Sequence, residues 1–546
     1  MDRYICIHGH FYQPPRENPW LEAIELQDSA YPFHDWNERI NYECYAPNAA
    51  ARILGANEKV SRIVNTYSHI SFNFGPTLIE WIQKNDPETY AAIIEADRLS
   101  MQRFDGHGSA MAQAYNHMIL PLSNRRDRIT QIRWGIRDFI RRFGRHPEGM
   151  WLPETAADYE SLEILADEGI RFTVLAPRQA KRYKHQHGDW IAEGGIDPST
   201  AYKVRLPGGK SMDVFFYDGP ISQAIAFEKL LHSGITFADR LLGAFAEHRD
   251  WPQLVHIATD GETYGHHHRH GEMALAYAVE YIQDLPGVDI INYGAYLAKY
   301  PPVFEAEIHD SSSWSCVHGV ERWKADCGCD SGMNGDWHQK WRAPLRQSFD
   351  WLRDTFIPLY ESEAGRYFSD PWKARDAYID IILDRSNENL MEFIANQANR
   401  TLSEDEIVHA VQLLEIQRHA MLMYTSCGWF FDEISGIETV QCLQYAGRAI
   451  QLARKVLDID LEPEFLHRLE QAPGNVPAHS NGRQVYEQLV MPAMVDLEQV
   501  CAHYVISSLF ESFESRRVYN FEVELKEHSL MERARYRFAV GRARVR

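Results

Sequence analysis

The sequence predicts an α/β protein of barrel type, followed by a mostly α-helical domain and a short C-terminal β segment. Three observations carry this reading. Over the first three hundred residues short apolar runs alternate with stretches of helical periodicity, the signature of βα units around a parallel sheet. After Pro301-Pro302 long helical segments take over, and beyond Arg517 the pattern changes again to alternation with a period of two. The expected divisions are 1–305, 306–515 and 516–546.

The strands of the first part are expected at Tyr4 to His8, Gly149 to Leu152, Arg171 to Leu175, Asp213 to Tyr217 and Leu254 to Thr259. Between Asn124 and Phe143, Ile129, Ile132, Ile136, Phe139, Ile140 and Phe143 recur at spacings of three and four, which predicts an amphipathic helix with its arginines outside. Further helices are expected at Glu88 to Phe104, Phe237 to His248 and Glu272 to Gln283. In the second part they are Asp336 to Arg353, Glu404 to Tyr424, Thr439 to Leu457 and Val485 to Phe510. Val518, Asn520, Glu522 and Glu524, then Tyr536, Phe538 and Val540, alternate as β-hairpins do, and the chain is expected to end inside, or just at the start of, a further β module.

The chain has 546 residues with 56 Lys and Arg against 77 Asp and Glu, a net charge of −21. That surplus argues against nucleic acid or an acidic membrane surface as a partner, since both recruit basic side chains. No run reaches the roughly 18 apolar residues of a membrane span, and the sequence begins on a strand-like run rather than a signal peptide. Eight scattered cysteines suit a reducing, cytoplasmic setting better than a disulfide framework. Composition leaves the oligomeric state open.

Three polar clusters follow predicted strands, the place where barrel enzymes build their sites. The first is His8-Gly-His10-Phe-Tyr-Gln13-Pro-Pro, whose two histidines, two apart in extended chain, point the same way. They suit a metal or a sugar's hydroxyls; the alternative is a structural pair at a turn. The second is Trp151-Leu-Pro-Glu154, where a carboxylate follows a ring able to stack on a sugar face, as a glycosidase nucleophile requires. Glu154 as a helix-start acid is the competing reading. The third is Asp260-Gly-Glu262-Thr-Tyr-Gly265-His-His-His268, in which a buried strand delivers Asp260 to the barrel mouth and Glu262 faces the same cavity. Consecutive histidines splay, so His266, His267, His268 and His270 favour solvated or hydrogen-bonding roles over a shared metal.

Together these segments resemble family 57 of the glycoside hydrolases, and Ala114-Tyr-Asn-His117-Met-Ile-Leu-Pro-Leu122 is similar to that family's His-Pro-Ile-Leu-Pro-Leu run. The resemblance covers about residues 1 to 300. It implies a (β/α)7 pseudo-TIM barrel and a retaining α-glucan-active hydrolase or glucanotransferase needing no metal or other cofactor. It also implies Glu154 as nucleophile and Asp260 as general acid/base, with His8, His10, Gln13, His117, Trp151 and Glu262 holding an oligo- or polysaccharide. The chain departs from the pattern in the inserted Phe11 and Tyr12 and in a small residue near Ser109 where the family often carries an acid.

The later half resembles an uncharacterised domain that accompanies one branch of the family, through the segments around Trp314 to Cys329 and Thr425 to Glu433. Trp429 or Trp323 is expected to offer a sugar-stacking platform, with packing in a core as the alternative. Cys316-x-His318-x8-Cys327-x-Cys329 places four soft ligands close in sequence, but zinc sites more often use Cys-x2-4-Cys pairs, so free thiols or a disulfide are preferred over zinc. Two other functions compete. One is a metal-dependent polysaccharide deacetylase or α-mannosidase-like hydrolase, with His8, His10 and Asp260 as ligands. The other is a non-catalytic carbohydrate-binding protein.

Overall fold

The structure is a computed structural model that describes residues 2–55, 57–185, 188–192, 195–332, 334–510 and 517–546. Among them, seven parallel strands form the barrel: β1 (Arg3–Phe11), β2 (Ser71–Phe74), β3 (Ala112–Gln113), β4 (Met150–Trp151), β5 (Phe172–Leu175), β6 (Ser211–Phe216) and β7 (Gln253–Asp260). Ladders join β1 to β2 and β7, β3 to β4, and β5 to β6. Single parallel bridges, Phe72 with Ala110 and Gly149 with Phe172, link β2 to β3 and β4 to β5. The Asp218 N–H donates to the His256 carbonyl and closes the circuit from β6 to β7.

Five of these strands lie where the apolar runs predict them. The strands β2 and β3 were not expected, being short and carrying inward polar residues, Asn73 and Gln113, on fully buried backbone. The predicted helix at 124 to 143 forms as Arg125–Phe143. Asn124 caps it by accepting from the Asp127 N–H, and Gly144 ends it at φ 68°. Its face of Ile132, Ile136 and Phe139 enters the barrel's core.

The strand Phe304–Ile308 crosses the expected boundary at 305/306. It pairs with Ala180–His185 and Ala201–Arg205 on the barrel's flank, so the first unit extends past it. The helical part is centred on Arg342–Ala364, Glu404–Leu422 and Ile437–Leu457. Its core also takes in Tyr115, Met118, Ile119 and Trp134 from the barrel, so the two parts share one apolar cluster. A buried ion pair, Arg375 to Asp127 at 2.7 Å, crosses the same seam.

The helix expected over 485 to 510 is broken. Gly482–Val485 runs into a wide turn and then a 3-10 turn containing Pro492, and a new helix starts at Leu497–Ser507. The final strands, Arg517–Val518, Phe521–Arg533 and Tyr536–Val545, are antiparallel, as the alternation implies. The junction expected at 515/516 lies outside the described residues. Among the described residues no single helix is long and apolar enough to cross a membrane.

Candidate active site

Register places the chemistry. In β1, His10 lies opposite Asp260 of β7 and Asn73 of β2, so the carboxyl-terminal ends of these strands meet around one point. Gln113 of β3 pairs with Trp151 of β4, and Glu154 follows three residues on. The rings at these ends form a packed layer. Trp151 is fully buried, stacked on His8 and on His10 with centroids 4.9 Å apart in each case. His117 stacks on Tyr12 at 3.7 Å and meets His10 Nε2 through its own Nε2 at 3.3 Å. His8 binds Ser71 Oγ and Asn73 Oδ1, both at 3.1 Å. Burial holds His8 and His10 at about 3 and His117 well below the usual imidazole value, so all three rings are neutral at ordinary pH.

This corrects the expectation of Trp151 as a sugar platform, because the ring is fully buried and packed on the two histidines. His8, His10 and His117 likewise form the wall beneath the carboxyl groups, each no more than 3% exposed. Gln13 sits at the rim, donating to the Tyr12 carbonyl and accepting from Arg16.

Glu154 stands on a strained turn. Both it and Thr155 have left-handed backbone, φ 58° and 51°, each costing about 1–3 kcal/mol for a non-glycine residue. The turn is held from outside. Thr155 Oγ1 donates to Gln179 Oε1, Gln179 Nε2 donates to the Thr155 carbonyl, and the Trp314 N–H donates to the Glu154 carbonyl. The half-buried carboxylate accepts from Trp314 Nε1 at 2.8 Å and Ser315 Oγ at 2.5 Å. Both donors fall on Oε2, and among the described residues Oε1 has no hydrogen-bond partner. Burial raises the pKa of Glu154, and these two donors oppose the rise.

Asp260 is exposed to the cleft, and the protein packed around the carboxyl removes part of its hydration. That loss of hydration, then the charges of Glu262 and Glu154, hold its carboxyl well above the usual carboxylate range. Among the described residues no side-chain hydrogen bond restrains it. Glu262 is buried and tied into the wall, accepting from Tyr45 Oη at 2.6 Å and the Tyr12 N–H at 3.0 Å; burial lifts it to about 7. Its Oε1 is thus already engaged, and its main action at the site is electrostatic, on Asp260.

The cleft above Asp260 has a volume of about 700 Å³ and is bordered by Trp314, Tyr217, Arg178, Gln223 and Phe227. Its accessible rings are the half-buried Trp314 and Phe227, which is 82% exposed. Trp429 is not among them. It is fully buried against Phe349 and Tyr424 and donates to the Arg342 carbonyl, so it is core, as is Trp323. Trp314, Ser315 and Gln179 escape sequence reasoning because two of them reach Glu154 from about 160 residues away on irregular chain and the third from a separate loop.

The four histidines after Gly265 do splay: His266 pairs with Glu43, and His268 meets the Ala226 carbonyl at 3.2 Å. Among the described residues, the group placed to hold a metal is Cys316, His318, Cys327 and Cys329, beside Ser315.

The profile of glycosyl hydrolase family 57 matches residues 7–308, and that of a domain of unknown function, DUF3536, matches 337–546. Alpha-amylase 1 of Dictyoglomus thermophilum is 26% identical over 106 residues, a match that spans 19% of this chain and only 15% of that relative. Among solved structures, an exo-type maltose-forming amylase from Pyrococcus sp. ST04 superposes with a TM-score of 0.67 at 17% identity, over 93% of this chain and 95% of that one. A family 57-type branching enzyme from Pyrococcus horikoshii gives 0.52 at 14% identity, over 91% and 97%. These likenesses establish the same fold, and with more than half its length matched by the family profile, the chain belongs to glycosyl hydrolase family 57.

Proposed function

We propose that this chain is a retaining enzyme acting on α-glucans, a hydrolase or glucanotransferase that works through a covalent glycosyl-enzyme intermediate. One observation carries the assignment of roles: the two carboxyl groups sit in opposed environments. Glu154 receives two hydrogen bonds that favour its charged form, whereas Asp260 has no donor and two acidic neighbours that favour its protonated form. Glu154 Oε1 attacks the anomeric carbon as the glycosidic C–O bond breaks, and the leaving oxygen takes the proton of Asp260. The Asp260 carboxylate then removes a proton from water or a sugar hydroxyl, whose oxygen displaces Glu154.

The similar proteins, amylases and a branching enzyme, support an α-glucan as substrate class. Trp314 and Phe227 support it too, as rings able to lie on apolar sugar faces. A cytoplasmic location belongs to the same proposal, supported by eight cysteines that are all free among the described residues.

The test is turnover of glycogen, maltooligosaccharides and amylose, with products resolved by size, branching and anomeric configuration. Glu154→Ala and Asp260→Asn are each expected to abolish turnover while the far-ultraviolet circular dichroism stays that of the parent. Full activity in either variant, or products of inverted configuration, overturns the proposal.

A further inference from the structure

The loop that delivers Trp314 and Ser315 to Glu154 continues directly into Cys316. From there to Cys329 it has little regular structure beyond the single turn Glu321–Trp323. Four side chains gather it: Cys316, His318, Cys327 and Cys329 bring one ligand atom each within 4.8 Å of all the others. Cys329 Sγ lies 3.8 Å from Cys316 Sγ and 3.6 Å from His318 Nδ1. A tetrahedral ion with metal–sulfur bonds of about 2.3 Å and a metal–nitrogen bond of about 2.0–2.1 Å requires edges of about 3.8 Å between sulfurs and about 3.6 Å between sulfur and nitrogen. The two observed edges agree with both. A disulfide would need about 2.05 Å between sulfurs.

The Cys-x-Cys step, unusual in zinc sites, is resolved by the backbone. Gly328 has φ +79°, a left-handed conformation with open space where a Cβ would stand, and it turns Cys327 and Cys329 to the same point. The surroundings carry complementary charge. Arg342, fully buried, donates to the Cys329 carbonyl at 2.9 Å and has the Asp432 carboxylate 3.8 Å away. Arg322, 4% exposed, donates to the Ser315 and Asp330 carbonyls and packs its guanidinium over the Phe430 ring. Three thiolates and a neutral imidazole on a divalent ion carry a net charge of −1, which complements two guanidiniums sharing one carboxylate.

We propose that Cys316, His318, Cys327 and Cys329 form a closed, structural zinc site that fastens the loop presenting Trp314 and Ser315 to the nucleophile. On binding, the three thiols release their protons to solvent and His318 coordinates through Nδ1. With four protein ligands there is no open position for substrate, so the ion positions the loop and takes no part in bond breaking. The site itself is independent of the reaction proposed above; only the effect on turnover rests on that reading.

The test measures zinc in the full chain, purified under reducing conditions, by elemental analysis before and after chelation and reloading with zinc chloride. The expected result is one zinc per chain, restored on reloading and absent from Cys327→Ser and Cys329→Ser. Cobalt loading should give the sulfur-to-cobalt charge-transfer band and intense visible bands of a tetrahedral thiolate site. The metal-free chain is expected to melt at a lower temperature and to lose about ten- to a hundredfold in kcat, the scale on which displaced positioning groups act. Failure of the reduced parent chain to take up zinc or cobalt, zinc retained in both serine variants, or a disulfide within the four-residue set overturns the site. Normal metal loading with activity unchanged on its removal overturns the link to Glu154 alone.

Discussion

Trp314→Phe keeps an aromatic ring in the cleft and removes one of the two donors on Glu154 Oε2. The bond is 2.8 Å long and ends on a carboxylate, a class of hydrogen bond with a net strength of about 1.5–3 kcal/mol. Because it favours the charged form of Glu154, its loss raises the pKa by about one to two units at 1.36 kcal/mol per unit. Glu154 is only half-buried and a cleft water can replace part of the lost donor, so the lower end, about one unit, is expected. Ser315→Ala should act in the same direction, and the double variant should move further than either. A nucleophile must be ionised, so the acidic limb of kcat/KM against pH, measured on a maltooligosaccharide, should move up by about one unit. The basic limb, set by the proton on Asp260, should stay. An acidic limb that stays in place or moves down in both single variants refutes the assignment of Trp314 and Ser315 as the groups holding Glu154 charged.

The remaining predictions concern stability and binding. The carboxyl of Asp260 is raised in the folded state, so the folded chain holds its proton longer than the unfolded chain, and stability falls as pH rises from about 3.8 through the higher folded value. Asp260→Asn should therefore raise the melting temperature at pH 7 while abolishing turnover, with the gain vanishing near pH 3; differential scanning calorimetry at both pH values decides. Gln179→Ala removes the clamp on the left-handed turn, leaving the Thr155 carbonyl without its donor and the Ser312 carbonyl with only the Ala157 N–H. It should cost about 2–4 kcal/mol in urea unfolding, with a fall in kcat larger than the change in KM. Trp429→Ala should cost about 3–5 kcal/mol, as expected for a large ring removed from a core. Phe227→Ala should leave the unfolding midpoint unchanged and raise KM for longer glucans, and the reverse pattern would restore Trp429 as a binding ring.

The two principal acids were legible because each follows an apolar run that reads as a strand, Asp260 at its last position and Glu154 three residues beyond. Leucine, valine and isoleucine in Leu254 to Ile257 announce β7, and Asp260 can only emerge at its end. The strands β2 and β3 were illegible for the opposite reason, as Ser71–Phe74 and Ala112–Gln113 spend their few residues on polar groups that build the wall around His10. The aromatic run at Trp429 to Phe431 shows where composition fails: ring content is the same for a platform and a core, and only the neighbours Phe349 and Tyr424 decide. For the sulfur cluster, spacing alone argued against a shared ion. The left-handed Gly328 supplies the turn that residue spacing could not reveal.

The seam between barrel and helices has a consequence for how such a protein can be cut or inherited. The Ser426 N–H donates to the His117 carbonyl, Met118 bridges to Thr425, and the groups that grip Glu154 belong to the segment after Ile308. A gene fragment ending where the hydrolase profile ends would encode both principal acids yet omit the grip on the attacking one. The two halves are therefore expected to be exchanged, truncated or lost together, and a library that shuffles them should recover activity only when no crossover falls between Glu154 and the Ser315 that grips it.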